Sequence, residues 1–178
     1  MLNLQLTDKE TLRARARQNV DNGAVTEGYA ADREEILRLL NESLATELVC
    51  TLRYKRHYFM ANGLKASVAA DEFLEHAKQE AEHADKLAER IVQLGGEPEF
   101  NPDALSGLSH AQYVAGNTLK EMVYEDLVAE RIAIDSYREI IQYIGESDPT
   151  TRRIFEDILA QEEEHADDMA DILGELEG

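Results

Sequence analysis

Apolar residues recur every three or four positions along four long stretches of the chain, a spacing that places them on one face of an α-helix. In the first stretch, Ile36, Leu40 and Leu44 illustrate the pattern. Helices of this length cannot bury their apolar faces alone, so they must pack against one another. The pattern therefore predicts an all-α fold with four long helices, over residues 32–62, 67–94, 118–145 and 148–176.

The connections between the predicted helices suggest how they are arranged. The first and second helices, and the third and fourth, are joined by short segments, which favours antiparallel neighbours. The segment from residue 95 to 117 is long enough to run the length of a bundle. Within it we expect a loop over residues 97–107 and a short turn or helix over 109–114. The sequence thus predicts an antiparallel four-helix bundle with one long crossover between its second and third helices.

The N-terminal segment has its own helix signal. Thr7 and Glu10 have the spacing of a capping box and precede a run of good helix formers, which predicts a short helix over residues 7–20. A stretch rich in Gly and Asn follows, and a second capping pair begins at Asp32. We therefore divide the chain into an N-terminal extension, residues 1–31, and a bundle domain, residues 32–178.

Composition excludes several classes of function. The chain of 178 residues has 37 acidic and 18 basic side chains and a formal net charge of −19, which opposes binding to a nucleic-acid backbone. Its single Cys50 cannot form an intrachain disulfide or a paired-cysteine metal site. No apolar run approaches the roughly 18 residues of a membrane span, and the first residues lack a signal-peptide core. These features predict a cytoplasmic protein.

Six ionisable residues lie on the apolar faces of the predicted helices, which we call apolar stripes. The helical spacing predicts a hydrophobic side chain at each of these positions. Each predicted long helix contributes one carboxylate, and two of them add a His three residues later, one helical turn along the same face. Burying four unpaired carboxylates would cost many kcal/mol unless protons or cations neutralised them. Two divalent ions balance the four negative charges and leave both imidazoles neutral, as metal binding requires. The six candidate metal ligands are Glu47, Glu80, His83, Glu130, Glu162 and His165.

The ligand types and their positions narrow the metal and the role of each residue. Carboxylate and imidazole ligands suit iron or manganese and disfavour Cu(I). Glu80 and Glu162 each lie one turn from a His and are placed to bridge two ions, whereas Glu47 and Glu130 would each bind one ion. A single Glu-x-x-His pair in so charged a chain is usually a solvated helical pair. Two such pairs, together with two lone Glu residues on the other stripes, instead indicate a two-metal centre.

These segments resemble the ferritin-like superfamily, and within it the bacterioferritins and Dps-like miniferritins. The resemblance implies a four-helix bundle whose six ligands bind two irons per subunit. It further implies a ferroxidase that oxidises Fe(II) with O2 or H2O2 and stores ferric mineral inside a hollow homo-oligomer. The segments that carry it are LLNESLATELVCTLRY at Glu47, EHAKQEAEHADKLAERIVQLGG at Glu80 and His83, LVAERIAIDSYREII at Glu130, and ILAQEEEHADDMADIL at Glu162 and His165.

Two departures from that family affect the expected cofactor and assembly. Bacterioferritins that hold haem have a Met directly after the first paired Glu, where this chain has Ala81, so we expect no haem. Family members that form 24-subunit shells have a fifth short helix, and few residues follow His165 to form one. The N-terminal extension also resembles the Dps-like relatives. We therefore favour a dodecamer, with a 24-mer as the alternative.

Several further residues admit two interpretations. Tyr54 lies seven residues after Glu47 on the same face and matches a family Tyr near the iron site, so it either supplies an electron or orders a ligand, or packs as an ordinary core residue. Cys50 lies one turn after Glu47 and either contacts the surroundings of the ligands or is oxidised, or is a small buried hydrophobe, which is the interpretation we favour. His57 and His76 are expected at the surface or an interface, and His110 in a loop. Extra iron ligation by His57 or His76 is the less favoured interpretation of that pair.

Three functions remain open from the sequence. The first is an iron-storage ferroxidase, and the second is a non-caged di-iron or di-manganese redox enzyme resembling a peroxidase or catalase. The third is a DNA-protecting or purely structural assembly, which the net charge disfavours. The alternating Arg13, Arg15 and Arg17 cannot share one helix face and have acidic neighbours, so a subunit contact is a better interpretation than a nucleic-acid arm.

Overall fold

A computed structural model describes residues 6–63 and 66–177, and every regular element in these ranges is helical. It confirms the all-α, four-helix-bundle fold predicted from the apolar stripes. None of these helices is long and apolar enough to cross a membrane. A short 3-10 turn occupies Val20–Asn22. The α-helices are α1 (Lys9–Arg15), α2 (Arg33–Met60), α3 (Ala66–Gln93), α4 (Pro102–Leu108), α5 (Leu119–Ile144) and α6 (Pro149–Glu177).

The four long helices form two hairpins that pack face to face. Helix α2 pairs with α3, and α5 pairs with α6. Fewer residue contacts join α2 to α5 and α3 to α6. Side-chain caps fix the starts of α2 and α5. The Asp32 side chain accepts a hydrogen bond from the Glu35 amide, and Thr118 and Glu121 form a reciprocal capping box at the start of α5. The predicted ends of the long helices therefore lie close to those observed.

The N-terminal helix is shorter than the predicted range of residues 7–20. Asp8, not Thr7, caps it by accepting from the amides of Glu10 and Thr11, and the helix ends at Arg15. None of the seven residues of α1 is buried. A helix without an apolar face packed against a neighbour is marginally stable beyond a turn or two, which explains the early end.

The prediction for the crossover was wrong about where its helix lies. Residues 97–107 were expected to be a loop, but Pro102–Leu108 form α4, and residues 109–114 are irregular. The Asn101 side chain caps α4 and Pro102 starts it, a favoured combination. Leu105 then packs against Ala45 and Val49 of α2. Burial of Leu105 stabilises a two-turn helix that local sequence alone would not hold.

The crossover runs along the side of α2. Its first residues are held by Asn41 of α2. The Asn41 side-chain amide donates a hydrogen bond to the Glu97 carbonyl and accepts one from the Glu99 backbone amide. The crossover ends near His57, whose Nε2 lies 2.9 Å from the Ala115 carbonyl oxygen. These contacts hold the crossover against the length of α2 and bring α5 back beside it, as the ferritin-like arrangement requires.

The bundle interior has two apolar clusters with a polar belt between them. One cluster surrounds Leu44, Leu87 and Phe155, and the other surrounds Phe73 and Met169. Along each long helix the chain passes from one cluster to the other through the position of a predicted ligand. The candidate site therefore lies in the middle of the bundle, with packed hydrophobic residues on both sides.

Candidate metal centre

The structure brings all six predicted ligands together inside the bundle. Helix α2 supplies one of them, α5 supplies one, and α3 and α6 supply two each. Every one of the six side chains is at most 2% exposed. Such burial of four carboxyl and two imidazole groups is strongly unfavourable without compensating partners. The residues are Glu47, Glu80, His83, Glu130, Glu162 and His165.

One half of the centre surrounds the ring of His83. Its Nδ1 lies 3.0 Å from Glu162 Oε1, 3.3 Å from Glu47 Oε2 and 3.7 Å from Glu80 Oε2. One atom from each of these four residues lies within 4.8 Å of the others. These four side chains could therefore hold one metal ion.

The other half surrounds His165 in the same way. Its Nδ1 lies 3.3 Å from Glu80 Oε1, 3.6 Å from Glu162 Oε2 and 3.9 Å from Glu130 Oε2. These four residues form a second group able to hold an ion. Glu80 and Glu162 belong to both groups and turn a different oxygen toward each histidine. Glu47 belongs only to the first group, and Glu130 only to the second.

Two glutamines fix the orientation of the histidine rings. His83 Nε2 lies 2.8 Å from Gln161 Oε1, and His165 Nε2 lies 2.7 Å from Gln79 Oε1. Each Nε2–H therefore donates to a glutamine on the opposite helix, and each Nδ1 is directed at the carboxylates. Such supporting hydrogen bonds hold a metal-binding imidazole in the required tautomer. The sequence interpretation missed both residues, although Gln directly precedes Glu in each Glu-x-x-His motif.

Among the residues that the structure describes, five polar atoms in the centre have no hydrogen-bond partner of acceptable geometry. Buried polar atoms are almost always satisfied, so five orphans in one place need an explanation. Two metal ions could bind all of them, because each atom belongs to a residue of one or both groups and offers a lone pair to the space between the helices. The atoms are Glu47 Oε2, Glu80 Oε1, Glu162 Oε1, His83 Nδ1 and His165 Nδ1.

The remaining oxygens of the outer two carboxyl groups are held by tyrosines. The Tyr54 hydroxyl donates to Glu130 Oε1, and the Tyr137 hydroxyl donates to Glu47 Oε1. Each tyrosine lies seven residues after a ligand Glu on its own helix and bonds to the other helix's Glu. The centre therefore has an approximate twofold symmetry that exchanges α2 with α5 and α3 with α6. Tyr137 is fully buried, and its position on α5 repeats that of Tyr54 on α2.

Protonation compensates the buried charges when the ions are absent. Burial and the neighbouring Glu80 raise the pKa of Glu47 to about 8, and burial likewise raises the pKa of Glu130. Burial acts to raise the pKa of Glu80, but contacts with Glu47 and the two histidines outweigh it and lower the pKa below its ordinary value. Burial alone would lower the pKa of His165, yet the adjacent Glu162 and Glu80 raise it to about 9. The centre thus holds protons at neutral pH on atoms that a metal would need.

Two histidines expected at the surface are buried. His57 is fully enclosed, and His76 is 1% exposed, so both of those predictions were wrong. The His57 ring contacts Asp126 at 2.7 Å, and the Arg53 guanidinium donates to the same carboxylate at 2.7 Å. This buried ion cluster fastens α2 to α5. Since His57 lies one turn after Tyr54 on the core-facing side, helical spacing was the available signal.

The predictions for Cys50 and His110 are confirmed. Cys50 is 3% exposed and lies in a small apolar cluster with Ala111 and Ala129, which confirms it as a buried small residue. His110 lies in the irregular part of the crossover, as expected. The side chains of Arg13, Arg15 and Arg17 are exposed, and a subunit contact for them stays a prediction.

Comparison with known proteins places this geometry in a family. A ferritin-like domain model matches residues 37–178, which include all six candidate ligands and most of the bundle. The chain belongs to the ferritin-like family. The matched range begins within α2, so α1 and the turn after it lie outside the family's common domain.

Relatives of this ferritin-like protein include bacterioferritins. The bacterioferritin of Mycobacterium avium is 34% identical over 134 residues, which cover 75% of this chain and 80% of that protein. Among solved structures, a bacterioferritin-related protein from Bacteroides fragilis, described as a dodecameric thioferritin, matches with a TM-score of 0.79 and 30% identity, covering 83% of this chain and 89% of that one. Dps from Thermosynechococcus elongatus matches with a TM-score of 0.75 at 21% identity, covering 79% and 90% of the two chains, which shows the shared fold alone.

Proposed function

We propose that this ferritin-like protein is an iron-storage and detoxification protein with ferroxidase activity. In this proposal it binds two Fe(II) ions per subunit, oxidises them with O2 or H2O2 and stores ferric mineral in a hollow homo-oligomer. The observation that carries the proposal is the pair of four-residue groups that share Glu80 and Glu162 and leave five buried ligand atoms without partners. The bacterioferritin relatives support iron as the metal.

The arrangement of the ligands supports a proposal of two ions and not one. Glu47 and His83 would complete the first ion's ligands, Glu130 and His165 would complete the second's, and Glu80 and Glu162 would bridge the two ions. Four carboxylates and two divalent ions then carry no net charge, which suits an interior bounded by apolar clusters. Carboxylate and imidazole ligands favour iron or manganese over softer metals.

Two adjacent Fe(II) ions match the electron requirement of the oxidants. Each Fe(II) gives up one electron on becoming Fe(III). Two electrons and two protons convert O2 to H2O2, and two electrons and two protons likewise convert H2O2 to two waters. The chain's role is to hold the two ions at a fixed separation, exclude bulk water and keep the ligands in the correct protonation state. The Gln79 and Gln161 amides serve that last role by holding the imidazole tautomers.

We further propose that twelve copies of this chain assemble into the storage shell. The Bacteroides fragilis neighbour is dodecameric, and this chain has the same helical arrangement. Exposed apolar side chains along α2, namely Leu52 at 55%, Phe59 at 76% and Met60 at 49%, supply surface for contacts between copies. A 24-subunit shell is the alternative. The division into residues 1–31 and 32–178, and a cytoplasmic location, stay predictions.

Iron loading tests the proposed function. Metal-free protein is mixed with excess Fe(II) in air, and the native particle is then separated by size and analysed for iron. We expect many more iron atoms per chain than the two in the centre, and much less iron in a Glu80→Ala, Glu162→Ala double variant. Retention of only about two iron atoms per chain, with turnover of H2O2, would instead support the alternative di-iron or di-manganese redox enzyme.

A further inference from the structure

A second group of metal-binding side chains lies just outside the six. It consists of Glu72 and His76 on α3, four residues apart, and Asp168 on α6, three residues after His165. His76 Nε2 lies 3.4 Å from Asp168 Oδ2 and 3.7 Å from Glu72 Oε2. One atom from each residue lies within 4.8 Å of the other two. The group belongs to neither half of the inner centre.

Hydrogen bonding shows which atom His76 presents to these carboxylates. Tyr54 has one hydroxyl proton and donates it to Glu130. His76 Nδ1 lies 3.3 Å from the same hydroxyl oxygen, which can therefore only accept. His76 Nε2, at the other side of the ring, faces Asp168 and Glu72. One ring nitrogen and two carboxylate oxygens therefore face one another.

The separations suit a shared divalent ion. Ligand atoms about 2.1 Å from a tetrahedral metal ion are about 3.4 Å from one another, from the usual Zn–N and Zn–O bond lengths. Both His76 separations are close to that value and longer than a strong charge-assisted hydrogen bond of about 2.7–2.9 Å. An imidazole nitrogen is a suitable ligand for Fe(II) or Zn2+, and carboxylate oxygens bind hard divalent ions, so this set of side chains suits a divalent cation.

His76 also connects this group to the inner centre. It forms a further potential ligand group with Glu130 and His165, and its ring stacks on the His165 ring with centroids 3.9 Å apart. The two outer carboxylates are accessible, since the Asp168 side chain is 44% exposed and the Glu72 side chain 38% exposed. The side chains thus form a continuous series from solvent to the buried ligands.

We propose that Glu72, His76 and Asp168 form an outer divalent-cation site that takes Fe(II) from solvent and passes it to the inner centre. The cation-binding part stands by itself, whereas the transfer of Fe(II) rests on the proposed ferroxidase function. His76 is the central residue of this site. Its Nε2 can bind the ion at the edge of the ring while the face of the ring remains stacked on His165, an inner ligand.

Counting bound Zn2+ tests the site with a metal that undergoes no redox change. Metal-free full-length protein is titrated with Zn2+ against a chromophoric chelator. We expect three tightly bound ions per chain. A Glu72→Gln, Asp168→Asn double variant should bind two, with its third affinity reduced about tenfold or more, the scale on which metal sites lose affinity when supporting groups are removed. The matched control, Asp71→Asn with Asp167→Asn, removes two exposed charges beside the site and should still bind three.

Two further measurements separate the site from the function. A Glu80→Ala, Glu162→Ala variant should keep one Zn2+, the outer ion. In stopped-flow oxidation at limiting Fe(II), the outer-site variant should be severalfold slower than the matched control and approach it at saturating Fe(II). Two ions in the unmodified protein, or three in the outer-site variant, would overturn the outer site. Three ions without any Fe(II) oxidation would instead overturn the ferroxidase proposal and leave the cation site standing.

Discussion

Removing a bridging carboxylate should abolish binding of both ions, whereas removing a terminal one should abolish only one. Glu80 presents an oxygen to each histidine, at 3.7 Å from His83 and 3.3 Å from His165. Glu47 lies close to His83 alone. Glu80→Ala therefore damages both groups of ligands, and Glu47→Ala leaves the group around His165 complete.

The size of the effect follows from linkage between metal binding and folding. A ligand present at one hundred times its Kd stabilises the folded state by about 2.7 kcal/mol, so two independent ions contribute about 5 kcal/mol. For a chain of this size, each kcal/mol raises Tm by about 2–4 °C. In a Glu72→Gln, Asp168→Asn background, into which each further variant is placed so that the outer site does not contribute, Zn2+ should therefore raise Tm by about 10–20 °C. We expect about half of that shift for Glu47→Ala and almost none for Glu80→Ala.

Calorimetric melting with and without Zn2+ measures these shifts, and each variant serves as its own metal-free reference. That comparison removes the cost of the cavity and any contribution of subunit contacts. Glu82→Ala is the matched control, because Glu82 lies on the exposed side of α3 between the two ligands and should keep the full shift. Equal shifts for Glu80→Ala and Glu47→Ala would refute the assignment of bridging and terminal roles. A Glu82→Ala shift as small as that of Glu80→Ala would refute the site itself.

Four other predictions follow from the structure. Gln161→Ala should weaken Zn2+ binding about 10–100-fold by releasing the His83 ring, as measured by chelator competition, and an unchanged affinity would remove Gln161 from the account. Because protons compete with metal for Glu47, with a pKa raised to about 8, and His165, with a pKa raised to about 9, Zn2+ affinity should fall and proton release should grow as pH drops from about 9 to 6. A pH-independent affinity would contradict this. Protein from haem-replete cells should show no Soret band, since Ala81 supplies no thioether, and one haem per pair of subunits would disprove it. Native mass should be about 241 kDa for twelve chains of 20.1 kDa, and a stable particle near 482 kDa would establish the 24-mer.

The four long helices and the six inner residues were predictable because each rests on a strong periodic pattern. Glu47 follows Leu44 by three residues on an otherwise apolar stripe, and Glu130 lies between Leu127 and Ile134. A carboxylate in such a position needs a partner, which physical chemistry alone demands. The same periodicity places all four stripes in one core, so the polar positions must meet.

Features that depend on contacts between distant segments were not predictable in the same way. Helix α4 depends on Leu105 packing against α2, and α1 is short because none of its residues is buried against the part of the chain that the structure describes. His76 follows Phe73 by three residues, but a helical His at such a position suits a core, a surface or an interface equally. Its burial follows from the meeting of α3 with α6. Two repeated patterns were visible in the sequence: the motif Gln-Glu-x-x-His, and a Tyr seven residues after a ligand Glu. Each pattern occurs twice, and together they indicate the internal twofold symmetry that the structure displays.

The central claim is that this chain oxidises Fe(II) at a centre for two ions. Stopped-flow titration of metal-free protein with Fe(II) in the presence of oxidant tests it most directly. We predict a rapid oxidation phase whose amplitude rises linearly with added Fe(II) and saturates at two Fe(II) per chain. This phase should disappear in Glu80→Ala and persist in Glu82→Ala. A rapid phase that saturates at one Fe(II) per chain, or that survives in Glu80→Ala, would contradict it.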